Sequence, residues 1–249
     1  MQIKPGMILN LSEHVLACGS STDKEFVKKV IGDNIIHSIQ SDPPYGTAVS
    51  DSPLNPTTHK PLVNDHLQSD QEYIKFTQDW LGAVKPFLAK KNSAYVWNSD
   101  KMVFALRQGM LQSGFKVSQM LIWVKSQPVI GRLDYLPMNE LCLYGWCGTH
   151  KFYKAKDKSV LFAPKPQKSK WHATQKPATL IRRLILNSTE VGDMVYDPFL
   201  GSGTTLLASQ QTLRKCIGIE LMPEYCQVVV DRWEALTGLK ATVRKESYE

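Results

Sequence analysis

Between Met194 and Glu220 the chain passes through an apolar stretch, a glycine loop, a helix-forming stretch and a second apolar stretch, an order that few folds accommodate. Met194-Val195-Tyr196 reads as a short buried strand and Leu206-Leu207-Ala208-Ser209-Gln210 as a helix. Between them lies Asp197-Pro198-Phe199-Leu200-Gly201-Ser202-Gly203-Thr204-Thr205, where Gly201 and Gly203 let the backbone pass close beneath a ligand. The helix N-terminus adds partial positive charge at the same point. Cys216-Ile217-Gly218-Ile219 reads as a further strand ending in Glu220, whose carboxylate is placed to accept hydrogen bonds from ribose hydroxyls. The glycines alone describe any tight strand-to-helix turn. With the strand-end acid they point to a cofactor that carries a nucleoside.

A second strand end is as distinctive. Ile35-Ile36-His37-Ser38-Ile39-Gln40 suits a pleated strand, and Asp42-Pro43-Pro44-Tyr45 follows where it stops. Each proline fixes its own φ and biases the residue before it toward extended geometry, so Asp42 and Tyr45 leave the sheet on a stiff path. The plain alternative is a proline turn that only closes a strand. Elsewhere the pattern predicts a helix capped by Asp70, with Tyr73, Phe76, Trp80, Leu81 and Val84 near helical spacing, ending before Pro86. It further predicts strands at 93–97, 117–124 and 140–146 and a helix at 100–112. Pro177 and Pro223 fit the first turns of two more helices. Strands alternating with helices imply an α/β, doubly wound, mostly parallel sheet, with the ligand cleft at the strand C-terminal ends where Asp42 and Asp197 fall.

Together these motifs resemble those of the S-adenosylmethionine-dependent DNA amino-methyltransferases, from about Leu16 to Trp233. In that family a DPPY motif is catalytic and a segment like Asp197 to Gly203 is the cofactor loop. Trp171-His172-Ala173-Thr174-Gln175-Lys176-Pro177 is similar to an H-x-T-Q-K-P motif that helps hold the methionine end of the cofactor, through Lys176 and Pro177 here. The catalytic motif precedes the cofactor loop, the order of the class called beta. The resemblance implies a seven-stranded Rossmann-like sheet with one antiparallel strand, at 140–146, and S-adenosylmethionine as cofactor. It also implies a flipped adenine in double-stranded DNA as substrate, because the motif opens with Asp; cytosine-N4 is the alternative. The class further admits a homodimer and a cognate restriction endonuclease acting on the same site, in the cytoplasm of a bacterial or phage-infected cell. Where the family commonly carries an Asp that helps hold the base, after the glycine of Leu16-Ala17-Cys18-Gly19-Ser20, this chain has Ser20, whose hydroxyl can make one such contact. Asp23 reads as a helix cap rather than as its substitute.

The residue types suit that chemistry. An aromatic amine is a poor nucleophile because its lone pair is delocalised into the ring, so acceptors facing the amino hydrogens must return density to nitrogen. Asp42 and the Pro43 carbonyl are the acceptors, and the Tyr45 ring is a face on which a flipped base can stack. Neither a metal nor a covalent intermediate is required, and acceleration comes mainly from positioning two bound reactants. A hydrolase with paired carboxylates would need a second acid, and Asp42 to Tyr45 contains none. A non-catalytic DNA- or cofactor-binding regulator on the same fold is the alternative of another class. A nicotinamide enzyme would be expected to show G-x-G-x-x-G, which Gly201 to Leu206 does not.

At 249 residues with 43% apolar content, the chain can bury one large core, and 1–249 reads as a single catalytic domain. Its apolar stretches fall far short of a membrane span, and residues 1–5 lack the pattern of a secretory signal. The five cysteines, at 18, 142, 147, 216 and 226, are too scattered for a zinc site and read as free thiols. The net charge of +7 is concentrated in one segment, 148–170, where seven lysines face one acid, Asp157. Lys151, Lys154, Lys156 and Lys158, interleaved with Phe152, Tyr153 and Phe162, suit contact with a DNA backbone as a short target-recognition segment. Residues 46–68, rich in Ser, Pro, Asn and Thr, read as a mobile lid beside the DPPY motif, with His59 and His66 facing solvent.

Overall fold

Ten strands form one sheet in the computed structural model, which describes residues 2–46, 68–128, 133–154, 156–164 and 176–244. In chain order the elements are β1 (Ile8–Leu11), β2 (His14–Cys18), α1 (Lys24–Ile31), β3 (Ile36–Ser41), α2 (Asp70–Val84), β4 (Leu88–Asn98), α3 (Val103–Gln112), β5 (Lys116–Val124), β6 (Asn139–Trp146), β7 (Val160–Phe162), α4 (Ala178–Ser188), β8 (Met194–Asp197), α5 (Thr204–Gln211), β9 (Lys215–Glu220), α6 (Pro223–Thr237) and β10 (Thr242–Val243). The expected lid falls outside the described residues except at its ends, where Gln68 N donates to Gly46 O at 3.0 Å. Trp171 to Gln175 of the H-x-T-Q-K-P-like segment also lie outside them.

The strand order is β10-β1-β2-β9-β8-β3-β4-β6-β5-β7. Pairing is parallel from β2 through β4, and β6 runs antiparallel to both β4 and β5. The seven strands from β2 to β5 are therefore the expected mostly parallel sheet with one antiparallel member. The expectation fell short at the margins. Short strands β1, β7 and β10 extend the sheet, and β1 is a second antiparallel strand, paired with β2 and β10. Runs of two to four residues carry too little alternation to be read from sequence.

Side-chain alternation explains the two-sided core. Along β4, Ala94 and Val96 face the layer containing α1, α2 and α3, while Tyr95 and Trp97 face the side of α4. Along β2, Val15 and Ala17 join the first layer and Leu16 and Cys18 pack with α6. Helix α2 buries Tyr73, Trp80, Leu81 and Val84 as one stripe. Each such side chain contributes roughly 1.5–3 kcal/mol, several times any single helix propensity, so packing holds α2. Its N-cap is Ser69 rather than the expected Asp70, because Ser69 and Glu72 form a reciprocal capping box. Asp23 caps α1 as expected, accepting from the amides of Glu25 and Phe26. Cys18, Cys142, Cys216 and Cys226 are buried free thiols, and Cys147 is a half-buried one. No helix among the described residues is long and apolar enough to cross a membrane.

The chain leaves β3 toward β4 on one side and β8 toward β9 on the other, although β3 and β8 are paired neighbours. Such a reversal opens a crevice beyond the strand C-termini. Asp42, directly after β3, and Asp197, the last residue of β8, flank it.

Candidate active site

The turn after β3 is held from two directions. Tyr73 of α2 donates its hydroxyl to the Pro44 carbonyl at 3.0 Å and is itself reached by the buried Asn98 side-chain amide at 2.6 Å. Below the turn, the Tyr45 hydroxyl lies 2.9 Å from Asp42 Oδ1 and 3.1 Å from Glu140 Oε2. Burial, and then the Asp42 and Glu140 carboxylates, push the Tyr45 phenol well above its ordinary pKa, so it remains a proton donor. The stiff turn read from the prolines is therefore also a hydrogen-bonded one.

Lys176, just before α4, sends its ammonium into this cluster. Nζ donates to Asp42 Oδ2 at 2.5 Å and to Tyr45 Oη at 3.1 Å, and lies 2.9 Å from Glu140 Oε2. The resemblance implies a place for it at the methionine end of the cofactor; among the described residues its ammonium meets the DPPY carboxylate. Pro177 is buried at the N-cap of α4, its carbonyl accepting from the Leu180 amide. Lys125, just past β5, lies 2.7 Å from Glu140 Oε1. Burial alone would raise the Glu140 carboxyl, but Lys176 and Lys125 bring it down to about 2. Burial alone would lower the Lys176 pKa, yet Asp42 and Glu140 hold it above the usual lysine range.

Across the crevice, Gly201 and Gly203 adopt φ of 54° and 85°, left-handed values that favour glycine. Glu220, buried at the end of β9, accepts from the Gly201 amide at 2.8 Å and the Met222 amide at 2.9 Å, so the acid that sequence spacing paired with the glycine loop contacts it directly. Burial raises its pKa. Asp197 Oδ1 accepts from the Phe199 amide at 3.0 Å, and burial, partly offset by Thr205 and that amide, brings its carboxyl up to about 7. The Phe199 ring meets Trp80 edge-on at 5.7 Å and Phe76 at 5.6 Å. Ser202 is tied to α6 through Arg232, which reaches both its carbonyl and its hydroxyl. Thr204 and Thr205 are buried in the first turn of α5.

Of the remaining predicted residues, Ser20 lies next to the glycine-loop cluster, since the amide of its neighbour Gly19 donates to the Glu220 carbonyl at 2.9 Å. Ser20 follows β2 and shares a 2.8 Å hydrogen bond with the Thr22 hydroxyl. Lys154, Lys156 and Lys158 are exposed, whereas Lys151 lies 3.5 Å from Glu190 and 4.4 Å from the Tyr153 ring centroid. The lone acid of the basic segment, Asp157, fastens it to α4 through Arg183 and Asn187. Sequence reading missed Glu140 and Lys125. Its one available signal was a carboxylate opening a strand predicted to run antiparallel, since such a strand brings its first residue to the edge where the parallel strands end.

The model of the DNA methylase family N6_N4_Mtase matches residues 36–231. The chain is 28% identical to the Type II methyltransferase M2.DpnII of Streptococcus pneumoniae, over 69% of this chain and 71% of that one. It is 26% identical to M2.MboI of Moraxella bovis, over 86% and 88%. Among solved structures, the M1.HpyAVI-SAM complex superposes with a TM-score of 0.66 at 25% identity, covering 87% of this chain and 98% of that one. The cytosine-N4-specific PvuII DNA methyltransferase, at 17% identity and a TM-score of 0.71 over 89% and 86%, shares the fold. With its DPPY turn, glycine loop and strand-end acid gathered at one sheet edge and the family model spanning most of its length, the chain belongs to the DNA methylase family.

Proposed function

We propose that this chain, as a single catalytic domain over 1–249, transfers the methyl group of S-adenosylmethionine to the exocyclic amine of an adenine flipped out of duplex DNA. The observation that carries the reading is the adjacency of Asp42 and Asp197 at neighbouring strand ends, with the DPPY turn on one side of the crevice and the glycine loop on the other. Asp42 and the Pro43 carbonyl accept from the amino hydrogens, the Pro44 carbonyl anchors the turn through Tyr73, and the Tyr45 ring supports the base. Asp197, Phe199, Gly201, Ser202, Gly203, Thr204, Thr205 and Glu220 surround the cofactor. The donor set fits that group: a buried carboxylate with lone pairs beyond those given to two amides can take ribose hydroxyls, and two left-handed glycines keep the loop close beneath it. When bound, S-adenosylmethionine supplies a sulfonium-activated methyl group. Lys176 pairs with Asp42 and orients it, with Pro177 fixing where its chain enters α4.

Adenine rather than cytosine follows from the Asp that opens the motif, and Ser20 is a further contact to the base. The exposed Lys154, Lys156 and Lys158, with Lys151, meet DNA phosphates. The Type II relatives support a cognate restriction endonuclease for the same site and a bacterial cytoplasm; the class resemblance supports a homodimer. The test is Asp42→Ala in a labelled-methyl assay on mixed-sequence duplex. Methyl transfer should vanish while cofactor affinity stays within about twofold. Undiminished turnover refutes the assignment. Sequencing the methylated product reads the base, and N4-methylcytosine there would replace adenine.

A further inference from the structure

Glu140 has no part in the roles above, yet it lies at the centre of the buried charges around Asp42. Lys176 has three N–H donors and three neighbours for them, Asp42 Oδ2, Glu140 Oε2 and Tyr45 Oη. Tyr45 has one hydroxyl proton and two carboxylates in reach, at 2.9 Å and 3.1 Å. Lys125 occupies the other Glu140 oxygen. The four ionic side chains balance, two carboxylates against two ammoniums, and Asp42 is the most open of them, 30% exposed against 19% for Glu140 and 6% for each lysine. Among the described residues, the buried Cys142 thiol and Asp197 are the other titratable groups whose fields reach Asp42 or Lys176.

Both Asp42 oxygens are thus engaged, one by Lys176 and one by Tyr45, and a carboxylate already donating density to two partners is a weaker acceptor for a third. We propose that Glu140 is a positioning residue for methyl transfer, a proposal that rests on the function given above. It takes over the Tyr45 proton and shares Lys176, which releases an Asp42 oxygen to receive the amine of the target base. The hydroxyl needs only to turn between acceptors at nearly equal distance. Lys176 is the second half of the device, because its ammonium touches both carboxylates whereas Lys125 reaches Glu140 alone, and without it their mutual repulsion favours protonation of one of them. Glu140 touches neither base nor cofactor in this scheme and acts only through Tyr45, Lys176 and Asp42.

The experiment compares wild type, Glu140→Gln, Lys176→Met and the double variant. It reads kcat against pH on duplex DNA, KM for DNA, cofactor affinity by calorimetry, and carboxyl titration by carbon NMR. Glu140→Gln should lower kcat by roughly tenfold or more, with KM and cofactor affinity within about twofold. Lys176→Met should move the acid limb of kcat up by about one pH unit or more, and one carboxyl should titrate above the usual range. Adding Glu140→Gln to Lys176→Met should return that limb toward wild type, because one carboxylate then stands alone; a merely structural Glu140 would add its losses and restore nothing. Wild-type kcat in Glu140→Gln, or a double variant whose acid limb stays with Lys176→Met, overturns the proposal. Wild-type protein that methylates no DNA refutes the function itself. The NMR titration needs no turnover, and a Lys176→Met protein with no raised carboxyl overturns the coupling by itself.

Discussion

Replacing Gly203 by alanine tests whether the glycine loop is as constrained as its geometry implies. Gly203 has φ of 85°, and an added Cβ would lie 3.0 Å from both Cγ1 and Cγ2 of the buried Val229 on α6. A left-handed backbone costs a non-glycine residue roughly 1–2 kcal/mol, and overpacking a filled site costs about 1–3 kcal/mol. The loop has little room to relax: Gly203 N donates to Leu200 O at 2.9 Å, Gly203 O accepts from Leu207 N at 3.0 Å, and Arg232 holds the Ser202 carbonyl. The expected loss is therefore about 2–5 kcal/mol, which for a chain of this size is a fall in Tm of roughly 4–20 °C. Weakened S-adenosylmethionine binding in a calorimetric titration should accompany it. Trimming Val229 to alanine in the Gly203→Ala background removes both contacts but leaves the φ cost, so a double-mutant cycle should recover only the steric share. A Gly203→Ala protein that melts within about 2 °C of wild type would refute the argument. So would a cycle in which the two substitutions simply add.

Asp197→Asn keeps an acceptor for the Phe199 amide and removes the charge. Because burial raises the native carboxyl to about 7, the unfolded chain ionises it at lower pH than the folded one, so wild-type stability falls as pH rises from about 4 to about 7. The variant should out-melt wild type at pH 8, by up to about 4 kcal/mol, with the gap closing toward pH 4; parallel Tm curves would refute the shift. Replacing Lys154, Lys156 and Lys158 together by alanine should reduce the slope of log K against log salt for DNA binding by about 2–3, roughly alike for all sequences; an unchanged slope removes these lysines from the interface. Gly145→Ala would put a Cβ 2.0 Å from the Lys116 carbonyl oxygen, where β5 and β6 pair, so these backbones must part. The denaturant midpoint should fall by the equivalent of about 3 kcal/mol or more, and a midpoint near wild type would sink that reading.

How far the sequence could be read depended on whether a signal was local. The Asp42 to Tyr45 turn, the glycine loop and Glu220 each declare themselves within a few residues, because proline, glycine and a strand-end acid constrain the backbone around them. The inner strands were legible for the same reason, since the alternation in Ser93 to Trp97 sorts Ala94 and Val96 from Tyr95 and Trp97. The short strands β1, β7 and β10 were not, because they exist through pairing with neighbours rather than through any pattern of their own. Ser69 displaced Asp70 as a helix cap because a reciprocal bond to Glu72 outweighed the nearer acid.

By itself, then, the sequence determined the doubly wound sheet and the place of its two motifs at strand ends, consequences of local backbone preference and hydrophobic period, and its motifs' resemblance to a known family implied the cofactor. Only the tertiary structure decided what surrounds Asp42. Parallel strands deliver their last residues to the cleft, while the antiparallel β6 delivers one of its first, Glu140, and the start of α4 swings Lys176 in beside it. Contacts between residues 95 and 134 positions apart have no local period to announce them, and they arise because closing the sheet buries charges that must then find one another.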